Sequence, residues 1–407
     1  MKAKHLISTV FAALAMMSCI KVENEETFKP EDAVDFSWYT RRSGSADTKA
    51  DANFVGSGST NLPIGSSFGV FGYFHPQINS TTPGGWNDGV NNNYPNLFYN
   101  EPVTIGGTTS AYTYNYTNSR FWPKNTLDRI SFLAYYPYQA QINSSGEPNP
   151  NAVVEPVLDS RYEHEGLVSF NYQVKHNSAD HVDFMISDLC EDQSKKVWDG
   201  DHSKGVTGTE NGKVKFFFHH ALSLVRIKSV NIDASLAANP DITFTVSAIK
   251  FNGIYVYGNC QPTLGATDTS TGRTTVTETW SNLLQIRPGE SSPTGVTAHV
   301  SYDSSTNTWD SSKYLLMIPH ESFASNADIS VYYSLSRNTD SNTGEHYEYG
   351  DNVLMANLAS PVCSSWEAGK IYTYDITLNL RSISFTTEVV DWLPGGEDVF
   401  MTETATP

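Results

Sequence analysis

A cysteine at position 19 follows a small residue in the run Met16-Met17-Ser18-Cys19. A thiol in that place can take a thioether-linked diacylglycerol, and cleavage before it frees an amine for a further palmitate-type chain. Upstream stand Lys2 and Lys4, then an apolar stretch from Leu6 to Met17 broken only by Ser8 and Thr9. Positive, then apolar, then small is the order of an export signal. The apolar stretch falls short of the ~20 residues that a spanning helix needs. A buried core helix would continue amphipathically, whereas Ile20-Lys21-Val22-Glu23-Asn24-Glu25-Glu26 does not. Residues 1–18 are therefore expected to be a lipoprotein signal peptide and Cys19 the lipid-bearing N-terminus. More than one acyl chain holds a membrane far better than one.

A second group that invites chemistry is Arg41-Arg42, a basic pair followed by the polar run Ser43-Gly44-Ser45-Ala46-Asp47. Proteases cut exposed flexible segments, so both arginines are candidate processing positions, with an ordinary solvated pair as the plain alternative. His219-His220 is unsuited to chelation, because adjacent strand residues point to opposite faces; a core or interface role is the expectation. Asp188, Glu191, Asp192, Asp199 and Asp201 form an acidic patch without the ligand spacing of a calcium loop, and read as a solvated loop. Cys190, Cys260 and Cys363 are widely spaced, with no CxxC. That argues against a zinc or thioredoxin-like site. One disulfide, for example Cys260–Cys363, suits an oxidising compartment, and buried free thiols are the default. Trp86, Tyr94, Tyr99, Tyr112 and Tyr114 lie in a loop-rich stretch and are read as exposed, able to stack on sugars as well as to pack; packing is favoured. No HExxH, GxGxxG or P-loop pattern occurs, and no carboxylate pair is marked for glycoside hydrolysis. No catalysis, metal or cofactor is expected.

These residues must be positioned by strands. Tyr372, Tyr374, Ile376, Leu378 and Leu380 alternate with polar neighbours, the period of a half-buried antiparallel strand. Ile383, Phe385 and Val389 continue the pattern, ending near Trp392. Further runs rich in β-branched and aromatic residues are 67–74, 129–136, 214–230, 242–251, 314–318 and 329–335. Turn clusters such as Thr82-Pro83-Gly84-Gly85 separate them. Val34 to Thr40 reads as a short edge-type strand just before the arginine pair. Many short strands imply β-sandwiches. A polar, Gly-rich run from Asp199 to Gly212 divides the chain, so the expectation is a tether over 19–35 and two sandwich domains over 36–205 and 206–407, each long enough for its own core.

Over 407 residues the formal net charge is −18, and loss of Lys2 and Lys4 with the signal makes the remainder more acidic still. Such a chain repels a phosphate backbone, which argues against nucleic-acid partners. Charged residues are 17% and aromatics 12%, the balance of a folded surface protein and not of a disordered acidic tail.

Several segments, in order, resemble the fimbrillins, subunits of the type V pili of the Bacteroidales. They are Ile64-Gly65-Ser66-Ser67-Phe68-Gly69-Val70-Phe71-Gly72-Tyr73, Phe121-Trp122-Pro123, Ile130 to Pro137, Asp183-Phe184-Met185, Val214 to Val225, Trp366 to Tyr374 and Val390-Asp391-Trp392. Lys21 followed by Glu23, Glu25 and Glu26 likewise resembles the signal that sends some lipoproteins to the outer face of the outer membrane. The resemblance implies two transthyretin-like β-sandwich domains, an outer-membrane lipoprotein precursor and a fimbrial partner set. It also implies assembly in which a trypsin-like protease removes the first strand after an arginine and another subunit's strand fills the vacated groove. Carried onto this chain, the first strand is about Val34 to Thr40 and the cut follows Arg41 or Arg42. Beyond Trp392 only Leu393 to Pro407 remain, with Val399-Phe400-Met401 as a weak donor segment; a tip or anchor role is open beside a shaft role. The rival expectation is a surface lipoprotein that captures glycans through the aromatics between Trp86 and Tyr114.

Overall fold

The computed structural model of the chain describes residues 33–40, 62–108, 111–141, 149, 152–158, 165–195, 213–232, 242–268, 273–298, 302–303, 308–309, 314–338, 346–359, 363–379, 383–392 and 400–401. The signal peptide, Cys19, Arg41, Arg42, Asp199 and Asp201 lie outside these residues. Nearly every described element is a strand. In chain order they are β1 (Asp35–Thr40), β2 (Ser67–His75), β3 (Phe98–Thr108), β4 (Ala111–Asn115), β5 (Arg129–Tyr136), β6 (Val154–Pro156), β7 (Phe170–Gln173), β8 (Met185–Ser187), β9 (Leu189–Gln193), β10 (Lys213–His220), β11 (Ser223–Ile232), β12 (Ile242–Asn252), β13 (Tyr257–Asp268), β14 (Arg273–Leu284), β15 (Val296–Ala298), β16 (Tyr302–Asp303), β17 (Thr308–Trp309), β18 (Tyr314–Met317), β19 (Asp328–Asn338), β20 (His346–Asn357), β21 (Lys370–Leu378), β22 (Ile383–Asp391) and β23 (Phe400–Met401). The all-β architecture is the one expected.

Twelve of these strands form one sheet, with the path β1-β10-β8-β5-β9-β14-β13-β7-β6 and β2, β3 and β4 branching from it. A second sheet runs β18-β11-β21-β22-β23 and a third β15-β12-β19-β20. The first sheet takes strands from both sides of the expected division at 205/206. Strand β10 pairs with β1 and β8, and the β13–β14 hairpin pairs with β7 and β9.

The long apolar run 214–230 is two strands. They meet at the buried pair Ala221-Leu222, where the chain leaves the first sheet and enters the second. The break is held by backbone bonds, Ala221 N–H to Phe184 O at 2.9 Å and Gly369 N–H to Leu222 O at 2.9 Å. Because both residues are apolar and buried, nothing in the pattern marks the turn.

Strands β2 and β5 are buried on both faces, so alternate residues serve different cores. Ile130, Phe132, Ala134 and Tyr136 join Phe36, Phe68, Phe98, Phe216 and Phe218 on one side. Leu133 and Tyr135 join Phe71, Phe170 and Phe184 in the larger core, which extends across to Trp366, Tyr374 and Trp392. A strand packed on both faces reads as a continuous apolar run, which is why 129–136 stood out in the sequence.

Candidate functional site

The first strand lies at the end of the large sheet and is clasped on two sides. Along its length β1 runs parallel to β10, in the register Asp35↔Lys213 through Thr40↔Phe218. Just before it, Ala33 bridges Phe121, and Val34 N–H donates to Arg120 O at 2.8 Å. The Tyr116 hydroxyl donates to Val34 O at 2.6 Å. Burial raises the Tyr116 pKa, which keeps the phenol a donor.

Alternation sets what β1 buries. Val34 and Phe36 are buried in the core, at 1% and 0% exposure, while Asp35 and Ser37 are partly exposed. The Phe36 ring sits among four others: Phe98 at 5.5 Å and Phe132 at 5.9 Å edge-on, Tyr116 at 5.6 Å tilted and Phe216 at 5.6 Å stacked. Outside, Asp35 Oδ2 meets Lys213 Nζ at 2.8 Å. Among its described side chains the strand is thus a plug: Val34 and Phe36 in a walled slot, backbone bonds along one edge, and a surface ion pair through Asp35. Removed, it would leave unpaired backbone groups on β10 and a pocket lined by aromatic rings. An added strand satisfies both. Arg41 and Arg42 follow directly after Thr40 in the chain.

The other sequence candidates resolve differently. His219 and His220 do point to opposite faces. His220 is fully buried, with Nδ1 3.0 Å from Asp183 Oδ1 and its ring stacked on Trp392 at 3.4 Å. His219 pairs with Glu278. Burial opposes protonation of His219, but the Glu278 and Asp188 carboxylates outweigh it and hold the pKa above its ordinary value.

The described part of the acidic patch corrects the expectation of a solvated loop. Asp188, Glu191 and Asp192 are buried. Each carboxylate is matched by donors from elements distant in sequence. Asp188 takes Arg273 Nε at 2.9 Å, Asp192 takes Trp86 N–H at 2.8 Å, and Glu191 takes Asn87 Nδ2 at 3.0 Å and the Thr274 hydroxyl. Burying these charges is tolerable only with such pairing.

The aromatics of the rival expectation do not form an exposed platform. Trp86 is buried, 4.9 Å edge-on to Tyr73. Tyr99 packs on the larger core and Tyr112 and Tyr114 on the core around Phe36; Tyr94 is half-buried. Cys190, Cys260 and Cys363 are buried free thiols, and burial pushes the pKa of each up, away from the reactive thiolate.

The sequence reading missed Tyr116 and singled out Asp183 only within a segment of the family resemblance. Tyr112, Tyr114 and Tyr116 recur at strand period, a signal that would have placed Tyr116 beside its neighbours. Nothing local marks Asp183 as the partner of His220. Arg120 contributes its carbonyl, which no residue type announces.

Residues 60–392 match the family model described as fimbrillin-like. The chain belongs to the fimbrillin-like family. Among characterised relatives it is 26% identical to the fimbrium subunit Fim1C of Phocaeicola vulgatus over 252 residues, which is 60% of this chain and 56% of that protein. The chain thus matches little more than half the length of that relative. A crystal structure of a fimbrial protein from Bacteroides vulgatus superposes with a TM-score of 0.55 at 17% identity, over 88% of this chain and 99% of that one; that likeness is one of fold. The fimbrillin-like match begins after β1 and ends at Trp392.

Proposed function

We propose that the protein is a structural or adhesive subunit of a cell-surface fimbria, exported as an outer-membrane lipoprotein on Cys19 and assembled with other fimbrial subunits by strand exchange at the β1 seat. The observation that carries this reading is the plug geometry of β1. A short terminal strand is held by Val34, Phe36 and backbone bonds at the edge of a sheet, with Arg41-Arg42 immediately behind it. A cut after either arginine severs β1 from the body without breaking any other described strand. The lipid anchor leaves with it, so the tethered precursor becomes a subunit with an open groove.

Strand β23 lies antiparallel to β22 of its own chain, so Phe400 and Met401 are paired internally here and not offered to another subunit. The test is limited trypsin treatment of the purified precursor. A single clip after Arg41 or Arg42, release of the β1 peptide and SDS-resistant oligomers support polymerisation. Clipping with the β1 peptide permanently retained would sink strand exchange.

A further inference from the structure

The seat of β1 does more than bury two side chains; it also fixes the register of what lies in it. Residue 34 is gripped through its backbone. Val34 N–H donates to Arg120 O at 2.8 Å, and Val34 O accepts from the Tyr116 hydroxyl at 2.6 Å. Two positions on, the Phe36 ring stacks on Phe216 at 5.6 Å. With both positions pinned, the residue between them cannot slide, and alternation along the strand turns it outward. There it stands level with Lys213, the first residue of β10.

Lys213 is placed to read that residue. Its Nζ lies over the Tyr114 ring, 5.6 Å from the centroid, and 2.8 Å from Asp35 Oδ2. The other oxygen of the same carboxylate, Oδ1, accepts from Phe36 N–H at 2.8 Å. One carboxylate thus answers both the lysine and the strand's own backbone. Among the described residues Lys213 has no second carboxylate within ion-pair distance. Departure of β1 would leave its charge at the rim of an apolar slot.

The chain uses the same device a second time. Val390-Asp391-Trp392 repeats the order of Val34-Asp35-Phe36. Val390 and Trp392 are both buried. Asp391 pairs with Lys370, which stands opposite it in register and opens β21 as Lys213 opens β10. The letters alone do not make the device, since in Val182-Asp183-Phe184 the aspartate is buried against His220. What recurs is an apolar–Asp–aromatic triplet set against a strand-opening lysine.

We infer that the partner strand taken up at this seat carries an apolar–acidic–aromatic triplet, and that Lys213 selects it by charge. This rests on the strand-exchange reading of the β1 seat and names the chemistry of the strand exchanged. The apolar and aromatic side chains fill the places of Val34 and Phe36, and the acid between them meets Lys213. A neutral residue there forgoes the pair, and a basic one is repelled. Proline is excluded at the place of Val34, because Arg120 O needs an N–H. Residues 393–407 of this chain hold no acid between two apolar residues, so the strand comes from a different subunit and not from that segment of a second copy.

The test is a binding measurement on the trypsin-clipped chain, freed of its β1 peptide and with the protease inhibited. Labelled peptides of residues 33–41 are titrated by fluorescence anisotropy. The unaltered peptide should bind tightest, with Asp35→Asn about threefold weaker and Asp35→Lys about tenfold weaker or more. Raising salt from about 0.05 to about 0.5 M should erase most of the preference for Asp over Asn. On a K213E protein the Asp35→Lys peptide should outbind the unaltered one. A peptide of residues 393–407 should bind about tenfold weaker than 33–41 or worse. The peptide series runs on the unaltered protein, so the charge preference is read even where K213E fails to fold. Equal binding of the three peptides, the same order on K213E, or a 393–407 peptide as tight as 33–41 would overturn the inference while strand exchange stands. No binding of the unaltered peptide would overturn the seat itself, and this inference with it.

Discussion

Phe36 packs against Phe98, Tyr116, Phe132 and Phe216. Replacing it with alanine removes a fully buried ring and leaves a cavity whose walls belong to four separate strands or loops. The expected cost is about 3–5 kcal/mol, read as a lowered denaturant midpoint of the uncleaved protein. Asp35→Asn removes only a surface ion pair with Lys213 and should cost about 1 kcal/mol or less. Equal effects from the two substitutions would mean that the plug is not what holds the strand. A second residue-scale expectation concerns His181. Its Nε2–H donates to Lys175 O at 3.1 Å and its Nδ1 accepts from Leu316 N–H at 2.8 Å. Protonation at Nδ1 would abolish the second bond, and burial lowers the pKa to about 4 from an ordinary 6.5. Burial also lowers His75 to about 4. The folded state therefore binds fewer protons than the unfolded chain between pH 6.5 and about 4. The stability these neutral rings carry is whole above pH 6.5 and is lost as pH falls toward 4, at most about 3 kcal/mol for each ring. His219 works the other way, its raised pKa adding stability as pH falls through it. Melting temperature should fall between pH 7 and 4.5, and His181→Gln, which keeps one donor and one acceptor, should flatten that fall. An unchanged slope in the variant would refute the assignment.

At the scale of elements, the sequence was most legible where a strand's pattern matched its burial. Residues 67–74 and 129–136 are rich in β-formers and became β2 and β5 within a residue of their expected ends. The alternating tract from Tyr372 became β21. The β13–β14 hairpin was illegible for a physical reason: β13 carries Gly258, Pro262 and Gly265, and half of β14 is Thr, Ser or Glu, with exposed positions between the buried ones. The acidic residues 188, 191 and 192 were misread because their donors, Arg273, Thr274 and the backbone of Trp86, come from elements that only the folded sheet brings near. The first strand was legible as an edge element from Val34 to Thr40, but its partner was not, since a parallel neighbour some 180 residues away leaves no turn signal. That pairing yields its own expectation. If β1 is the exchanged plug, a synthetic peptide of residues 33–41 added in excess to the trypsin-clipped protein should reoccupy the groove and suppress oligomers. The same peptide with Phe36→Ala should suppress them poorly. Suppression by both peptides alike, measured on SDS gels, would assign the effect to something other than the slot.

At the scale of the molecule, the question is what counts as a folding unit. The polar run before residue 213 invites a boundary at 205/206, and on that view a fragment of residues 36–205 should fold alone. The sheet pairing argues otherwise. Such a fragment lacks β10, β13 and β14, three strands of the first sheet, and with β10 it lacks Phe216 and Phe218 from the core around Phe36. Starting at residue 36, it also lacks Ala33 with its bridge to Phe121, and what remains of β1 loses the whole of its parallel partner. The larger core, too, runs without interruption from Phe71 and Phe184 to Trp366 and Trp392, and the His220–Trp392 stack joins a first-sheet strand to the end of β22. A core shared in this way couples the two halves, so the fragment should show no cooperative melting, whereas the chain from residue 33 onward should unfold in a single transition that both tryptophan fluorescence and far-ultraviolet dichroism follow. A cooperative transition of the 36–205 fragment would restore the boundary at 205. A fragment ending after β14 would then be the informative control, because it regains all three missing strands while still lacking β21 and β22.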